Sequence, residues 1–521
     1  MGHAFLTIDE FSLWVWIPPD FVKNPNFDFS LPRLPLPSGP RAGAAEAHAA
    51  LRRGKTNSPL RSRCTHSLHS LFEESFIPMR IKPRVDSMIF SLILVPAFAI
   101  LSTGLSAQSA APGPQNATLQ YVVMLSRHGV RSPLGTPGEL DKFSALPWPA
   151  WEVAPGILTP HGHQLMKLFG SWDRTRFASA GLLAPSGCAD AAHVTIIADT
   201  DERTRETGTA LAEGMLPGCT VPVHAELDGV NDPLFRSLEA GVGHADYALA
   251  TAAIAGRIGG DPNNLTAAFH AQLAALDHIL AGCGRAPSPS RPRTSIFEVG
   301  AALVPGNGDR PASLRGPVPS AATMAEDFLL EYTDGKSDAD VGWGCVDGPT
   351  LRSLMQIDTA SWEYGTRTLP IARMKASNLL FHIEKSLAQS VVGKPVPGAL
   401  GSPGDRLLIL VGHDTNIATV AGALGIDWIV DGRVDDTPPG GALLFEVWRS
   451  RQDGKPFVRL EYTAQTLEQM RQAQPLSSAN PPAVAPIFVP GCSGGDQSCT
   501  WDGFTAALRS AIDPAYVRPQ R

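Results

Sequence analysis

The sequence predicts an α/β protein in which helices flank a mostly parallel central sheet and a smaller helical domain is inserted. Three short apolar runs have the composition of strands buried on both faces: 119–126, 194–198 and 407–411. A helical pattern follows each of these runs: 159–181, 202–216 and 415–424. Strands that alternate with helices favour a parallel sheet, because parallel neighbours need a long crossover connection.

The predicted α/β domain spans 118–245 and 396–511, and two further strands are expected at 441–448 and 456–463. Between its halves, residues 246–395 form the predicted helical insertion. Ala- and Leu-rich helical patterns dominate this part: 246–257, 265–281, 320–332, 349–360 and 369–391. A Pro-, Ser- and Gly-rich segment at 284–319 interrupts them.

Residues 79–107 have the pattern of a secretory signal peptide. Basic residues at 80–84 precede an apolar run at 88–101, and the small residues Ser106 and Ala107 follow it. The run is shorter than the roughly 20 residues that span a membrane. We therefore expect a periplasmic or secreted protein without stable membrane insertion after cleavage. Residues 1–78 are interpreted as a non-native or disordered leader.

The cysteine count agrees with export. The chain has seven Cys, and removing the leader leaves an even set of six: Cys188, Cys219, Cys283, Cys345, Cys492 and Cys499. An even set in an exported protein predicts disulfides, although six cysteines allow about 15 connectivities. Cys492 and Cys499 form the easiest local pair. The sequence has no Cys-x-x-Cys pair, so a zinc ribbon is not indicated.

Composition excludes several classes of protein. Hydrophobic residues make up 43% and charged residues 18% of the chain, which is ordinary for a globular protein and excludes collagen or a coiled coil. The net charge is -7. A chain without basic excess is a poor candidate for general nucleic-acid binding, so no nucleic-acid partner is expected.

Charged residues follow all three strongest predicted strands. Arg127 to Pro133 follow the first, Asp199 to Arg205 the second, and Gly412 to Asn416 the third. Ligands of open α/β sheets bind outside the carboxyl ends of the strands. We therefore expect the three segments to form one site.

The residue types in these segments favour phosphoryl transfer. Guanidinium groups match phosphate oxygens and stay charged, so Arg127, Arg131 and Arg203 are expected to neutralise a phosphoryl dianion. Arginine neighbours disfavour the cation of His128, and a neutral imidazole is a competent nucleophile. Asp414 is expected to remain protonated at acidic pH and to donate to a leaving oxygen. His161 and His163 lack an evident third ligand, so no metal site is predicted.

The Arg-His-Gly-Val-Arg-Ser-Pro segment at 127–133 and the Gly-His-Asp-Thr-Asn segment at 412–416 resemble the two motifs of the histidine acid phosphatases. The similarity is greatest to the bacterial periplasmic branch of phytases and glucose-1-phosphatases, and it covers about 118–511. It implies a phosphoglycerate-mutase-like fold and hydrolysis of phosphomonoesters through a phosphohistidine, without metal or cofactor. It also implies that His128 is the nucleophile and Asp414 the proton donor, and that four residues bind phosphate: Arg127, Arg131, Arg203 and His413.

The substrate and two alternative functions stay open. Leu134 and Gly135 stand where phytase-like members carry Thr and a basic residue, which predicts weaker binding of a polyanion such as phytate. Asp327 falls where such phytases carry an acidic pocket residue, and Asp199 is a candidate for orienting Arg203. The alternatives are a phosphoglycerate-mutase-like phosphotransferase and a catalytically inactive phosphate-binding protein. A monomer is expected.

Overall fold

The computed structural model describes residues 5–8, 11–14, 114, 116–135, 137–284 and 292–520. The chain divides into two compact units, Met1–Phe98 and Ala99–Arg521. In the first unit, strands β1 (Phe5–Ile8) and β2 (Phe11–Trp14) pair antiparallel. These strands are the described part of the predicted leader, and the predicted signal peptide at 79–107 lies outside the described residues.

The strands predicted in the second unit are confirmed. Its strands are β3 (Ala117–Arg127), β4 (Val194–Ala198), β5 (Val223–His224), β6 (Ala302–Asn307), β7 (Arg310–Arg315), β8 (Leu407–Gly412), β9 (Ile429–Val430), β10 (Arg433–Val434), β11 (Ala442–Ser450), β12 (Pro456–Ala464), β13 (Ala483–Ile487) and β14 (Ser498–Thr500). Eight of them form one sheet in the order β13-β12-β11-β3-β8-β4-β5, with β14 beside β12. Neighbours from β3 to β5 are parallel, whereas those from β3 to β13 are antiparallel.

The predicted helices are also present. They are α1 (Pro137–Leu140), α2 (Pro160–Ser179), α3 (Glu202–Met215), α4 (Tyr247–Arg257), α5 (Asn263–Ala268), α6 (His270–Leu280), α7 (Pro317–Thr333), α8 (Gly348–Tyr364), α9 (Leu369–Val392), α10 (Asp414–Leu424), α11 (Leu467–Arg471) and α12 (Trp501–Ala511). The helix predicted at 265–281 is divided into α5 and α6, because the backbone of Phe269 leaves the helical conformation. No helix among the described residues is long and apolar enough to cross a membrane.

Helices cover both faces of the sheet, which explains the uninterrupted apolar composition of its central strands. In β3, Val122 and Met124 face the layer that contains α2 and α3, whereas Val123 and Leu125 face the layer that contains α9, α10 and α12. Successive side chains of a strand point to opposite faces, so a strand covered on both faces needs apolar residues at every position.

A second core joins α4, α6, α7 and α8, within the block predicted as a helical insertion. The segment predicted as an irregular interruption at 284–319 contains the antiparallel hairpin of β6 and β7. Helix α9 lies in the same block of sequence, yet it packs against the sheet through Ala376, Leu380 and Ile383. The division into two domains stays a prediction.

Three disulfides pair the six cysteines of the second unit: Cys188 with Cys219, Cys283 with Cys345, and Cys492 with Cys499. The predicted local pair is thus confirmed. The pair of Cys283 and Cys345 joins the end of α6 to the segment before α8, within the helical core.

Candidate active site

The register of the parallel strands brings the three charged segments to one edge of the sheet. Arg127 at the end of β3 lies beside Gly412 at the end of β8, and Ala198 at the end of β4 lies beside Val411. A cavity of about 1230 Å³ opens at this edge. Of the predicted site residues, those lining the cavity are His128, Arg131, Arg203, His413 and Asp414, whereas Arg127 lies buried beneath it.

His128 is buried at the floor of the cavity. Its Nδ1 lies 2.8 Å from the carbonyl oxygen of Gly129. Because that oxygen can only accept, Nδ1 carries the proton and Nε2 keeps its lone pair. Burial lowers the pKa of His128 well below its usual value, and the charges of Arg127 and Arg131 lower it further. The ring is therefore neutral, as a nucleophile requires.

Two arginines from the first segment share a carboxylate. Arg127 donates from Nη1 to the carbonyl oxygen of Thr437 at 2.6 Å, and its Nη2 contacts Glu326 and lies 3.0 Å from Asp414. Arg131 donates from Nη2 to the same Glu326 oxygen at 3.1 Å. The carboxylates hold both guanidinium groups in fixed positions at the cavity.

Arg203 belongs to the cavity rather than to the protein surface. It lies in the first turn of α3, where its Nη2 is 2.5 Å from Asp201. Arg205, two residues later, points elsewhere and lies 3.8 Å from the exposed Asp228. The prediction that Asp199 orients Arg203 is wrong, because the carboxylate of Asp199 contacts His413 and Arg236 instead.

Asp199 is fully buried and connects two segments of the site. One carboxylate oxygen accepts hydrogen bonds from Nε2 of His413 and from Nε of Arg236, each at 2.6 Å. Asp199 follows β4 directly and His413 follows the adjacent β8, so their side chains meet across the strand ends. Asp199 therefore fixes the ring orientation of His413.

Asp414 is the first residue of α10, and its carboxylate faces Arg127. Burial raises the pKa of Asp414, but the charges of Arg127, His413 and Arg131 outweigh burial and lower it below the usual value. The expectation that Asp414 stays protonated at acidic pH is therefore not met in the free site. A bound phosphate dianion would offset the arginine charges and favour protonation of this carboxyl group.

Sequence analysis missed Glu326 and selected its neighbour Asp327. Asp327 is buried within the helical core, whereas Glu326 lines the cavity. Residues Met324, Asp327 and Phe328 share the buried face of α7, because helical neighbours three and four positions apart lie together. The apolar periodicity of α7 therefore indicates that the side chain of Asp327 points into the helical core.

Three further cations line the cavity: Arg236, Arg310 and Lys375. Arg236 lies 2.7 Å from Asp201 and directly follows the Asp-Pro-Leu-Phe segment at 232–235. The other two come from the hairpin turn and from α9. None of these three residues belongs to the charged segments that follow the three strongest predicted strands. The motifs therefore gave no reason to select them.

Among the described residues, one group of side chains could offer ligands to a metal ion, but these side chains already contact arginines. Asp199, Asp201 and His413 offer ligand atoms within 4.8 Å of one another. Arg236 contacts both carboxylates and Arg203 contacts one of them. These guanidinium groups would repel a metal ion. His161 and His163 do not converge, because the first contacts the carbonyl oxygen of Met470 and the second contacts Glu213.

Comparison with known proteins identifies the family. The sequence profile of the histidine phosphatase superfamily (branch 2) matches residues 118–272 and 365–463. Phytase AppA of Escherichia coli (strain K12) is 34% identical over 81% of this chain and 99% of its own length. The chain belongs to the histidine phosphatase superfamily, branch 2. The family resemblance predicted from the two motifs is confirmed.

Further relatives of this histidine phosphatase include a glucose-1-phosphatase and a phytase of known structure. A glucose-1-phosphatase of Salmonella typhimurium is 26% identical over 80% of this chain and 98% of its own length. The structure of Hafnia alvei phytase in complex with tartrate has a TM-score of 0.71 and 33% identity, and it covers 78% of this chain and 100% of the phytase. The predicted α/β fold and the prediction of a phosphomonoester hydrolase are thereby confirmed.

Proposed function

We propose that this histidine acid phosphatase hydrolyses inositol polyphosphates, phytate among them, through a phosphohistidine at His128. The observation that carries the mechanism is the state of His128, a buried neutral imidazole whose Nδ1 is committed to a carbonyl oxygen. Nε2 attacks the phosphorus, and the bond between phosphorus and the leaving oxygen breaks. Asp414 gives its proton to that oxygen, which leaves as an alcohol.

The second half of the reaction regenerates the enzyme. Asp414, now a carboxylate, accepts a proton from water, and the resulting hydroxide attacks the phosphorus. The bond between phosphorus and Nε2 of His128 breaks and inorganic phosphate leaves. Arg127, Arg131 and Arg203 stabilise the charge on the phosphoryl oxygens in both steps. The N-terminus of α10, which His413 caps, adds partial positive charge at the same position.

The size of the cavity and the positions of the cations that line it support a polyphosphorylated substrate. A volume of about 1230 Å³ exceeds what a single phosphate group on a small sugar needs. Leu134 is 58% exposed at the cavity and supplies no charge. Arg310 and Lys375 supply cations from other elements, in place of the basic residue expected near Gly135. The structural relatives include Hafnia alvei phytase in complex with myo-inositol hexakis sulphate.

Phosphate release measured with EDTA at about pH 4.5 tests the proposal. We expect a higher kcat/KM for phytate than for glucose-1-phosphate or p-nitrophenyl phosphate. His128→Ala should lose essentially all turnover on every substrate. Preference for the small monoesters would contradict the inositol polyphosphate assignment, and activity that persists in His128→Ala would contradict the phosphohistidine.

We further propose that the protein acts in the periplasm or outside the cell as a monomer. Three disulfides support an oxidising compartment. Cell fractionation tests the location, and size-exclusion chromatography tests the oligomeric state. A cytosolic protein with free thiols would contradict this assignment.

A further inference from the structure

Among the cationic side chains that line the cavity, Arg310 differs in its partners. Arg131 is bound to Glu326, Arg203 and Arg236 are bound to Asp201, and Lys375 lies 3.4 Å from Glu239. Arg310 forms no ion pair or side-chain hydrogen bond with any described residue, although it lines the same cavity as His128. Its charge is therefore available to a ligand.

The hairpin that carries Arg310 is anchored at its turn. Asn307 and Arg310 form the last cross-strand pair, so Gly308 and Asp309 make a two-residue turn. Gly308 has a φ of 62°, a conformation that two-residue hairpin turns require and glycine adopts readily. The Tyr247 hydroxyl donates to the carbonyl oxygen of Gly308 at 2.9 Å. Tyr247 begins α4 and also lines the cavity, so the turn is fixed at the cavity wall.

Arg310 is an exposed residue of the β6–β7 hairpin, which packs against the helical core through Leu303 and Leu314, whereas the phosphate-binding arginines come from the strand ends. The guanidinium groups of Arg127, Arg131 and Arg203 already match the charge of one phosphoryl dianion. An additional unpaired cation on a separate element fits a second anionic group of the same substrate. This argument rests on the proposed function, because an inositol polyphosphate carries such a group whereas a small monoester such as p-nitrophenyl phosphate does not.

We propose that Arg310 is a specificity-determining residue that binds a phosphate group of an inositol polyphosphate other than the one attacked by His128. It thereby replaces the basic residue that the sequence lacks at Gly135. Asp309 lies beside Arg310 and also lines the cavity, and its carboxylate opposes the binding of an anion. The net attraction of this end of the hairpin for an anion therefore depends on the opposing charges of Arg310 and Asp309.

Direct binding tests the proposal without depending on turnover. Myo-inositol hexakissulfate is titrated calorimetrically into the whole protein and into Arg310→Gln, Asp309→Asn and Arg315→Gln. Arg315→Gln is the matched control, because Arg315 ends the same hairpin and does not line the cavity, and within the described part of the chain its side chain donates only to Ser313. We expect Arg310→Gln to weaken binding about tenfold and Asp309→Asn to strengthen it, with the control within about twofold of wild type.

Several results would overturn the role of Arg310. These are no binding by the wild type, binding by Arg310→Gln within about twofold of wild type, an equal loss in Arg315→Gln, or weaker binding by Asp309→Asn. Each would mean that the charge at the turn does not contact the ligand. A wild-type protein that binds the hexakissulfate but releases no phosphate from phytate would contradict only the proposed function.

Kinetics then separate recognition from catalysis. Arg310→Gln should lower kcat/KM for phytate about tenfold through KM, and leave kcat/KM for p-nitrophenyl phosphate within about twofold. An aryl monoester has no second phosphate group to meet Arg310. Equal losses on both substrates would overturn the proposal, since they would place the effect at the phosphoryl group under attack or in folding.

Discussion

Asp199 accepts a hydrogen bond of 2.6 Å from Nε2 of His413, and so connects the end of β4 to the end of β8. Burial raises the pKa of Asp199, but the hydrogen bonds and charges of His413 and Arg236 outweigh burial and lower the pKa to about 2. The carboxylate is therefore ionised at the acidic pH expected for this family. It holds the ring of His413 in one orientation.

Asp199→Asn should lower kcat/KM for p-nitrophenyl phosphate by about 100-fold, because the amide has one acceptor oxygen in place of two and no negative charge. One oxygen of Asp199 accepts from His413 and Arg236 and the other accepts from the backbone N–H of Thr200, so an asparagine places its NH2 group against one of these donors. Steady-state kinetics at about pH 4.5 measure the loss. Asp228→Asn is the control, since it removes the same charge from an exposed residue whose one ion pair among the described residues is with Arg205. An Asp199→Asn enzyme with wild-type kinetics would show that His413 needs no fixed orientation.

The role of Asp414 predicts a dependence on the leaving group. In Asp414→Asn, hydrolysis of an alkyl phosphate such as phytate should fall by roughly 1000-fold, because the departing alkoxide needs a proton. Hydrolysis of p-nitrophenyl phosphate should fall by about tenfold or less, since p-nitrophenolate leaves without one. The ratio of kcat/KM values for the two substrates is the measurement, because kcat/KM reports formation of the phosphohistidine. The value of kcat also contains hydrolysis of the phosphohistidine, in which Asp414 acts as the base for either substrate. Equal losses on both would contradict a proton donor at this position.

Glu326 contacts Arg127 and Arg131, the arginines that are proposed to bind phosphate, so we predict tighter product inhibition when its charge is removed. Glu326→Gln should lower the inhibition constant of inorganic phosphate by about fivefold, because a neutral amide repels the dianion less. Asp327→Asn is a control on the same helix. Burial raises the pKa of Asp327 well above its usual value, so this variant replaces a neutral carboxylic acid by a neutral amide. A higher inhibition constant in Glu326→Gln would mean that Glu326 chiefly positions the arginines.

The location of the site could be predicted from sequence because two independent signals agreed. Continuous apolar runs marked strands buried on both faces, and charged segments followed directly after three of them. In a parallel arrangement the ends of such strands meet at one edge. The register of Arg127 beside Gly412 then brings His128 and His413 together, with ring centroids 5.5 Å apart.

Side-chain partners between distant segments could not be predicted in the same way. Whether Asp199 contacts Arg203 or His413 depends on how β4 lies beside β8, and proximity in sequence favoured the wrong partner. The hairpin at 302–315 was missed because Pro305 and Pro311 argue against a strand. Proline is tolerated there because the two strands pair only with each other, so both are edges.

Buried Asp173 makes the folded protein more stable at acidic pH than at neutral pH. It lies in α2, fully buried, and neither of its carboxylate oxygens has a hydrogen-bond partner among the described residues. Burial raises the pKa of Asp173 to about 7, against an opposing effect of the Arg176 charge. A raised carboxyl pKa means that the unfolded chain loses its proton first. The free energy of unfolding therefore falls as pH rises from about 4 to about 7.

Asp173→Asn should remove the part of the pH dependence that Asp173 contributes, because asparagine stays neutral in both the folded and the unfolded chain. The wild-type cost of ionisation at neutral pH is on the order of 4 kcal/mol, from the difference between the folded and unfolded pKa values. Urea unfolding at pH 4.5 and pH 8 measures it. We expect the variant to be more stable than wild type at pH 8 and similar to it at pH 4.5, with the Tm following the same order.

A second group also lowers the stability as pH rises. Burial raises the pKa of Glu331 to about 8, so the free energy of unfolding still declines through Glu331 in both proteins. A variant that loses stability equally at both pH values would show that Asp173 is held by a polar contact rather than by its proton.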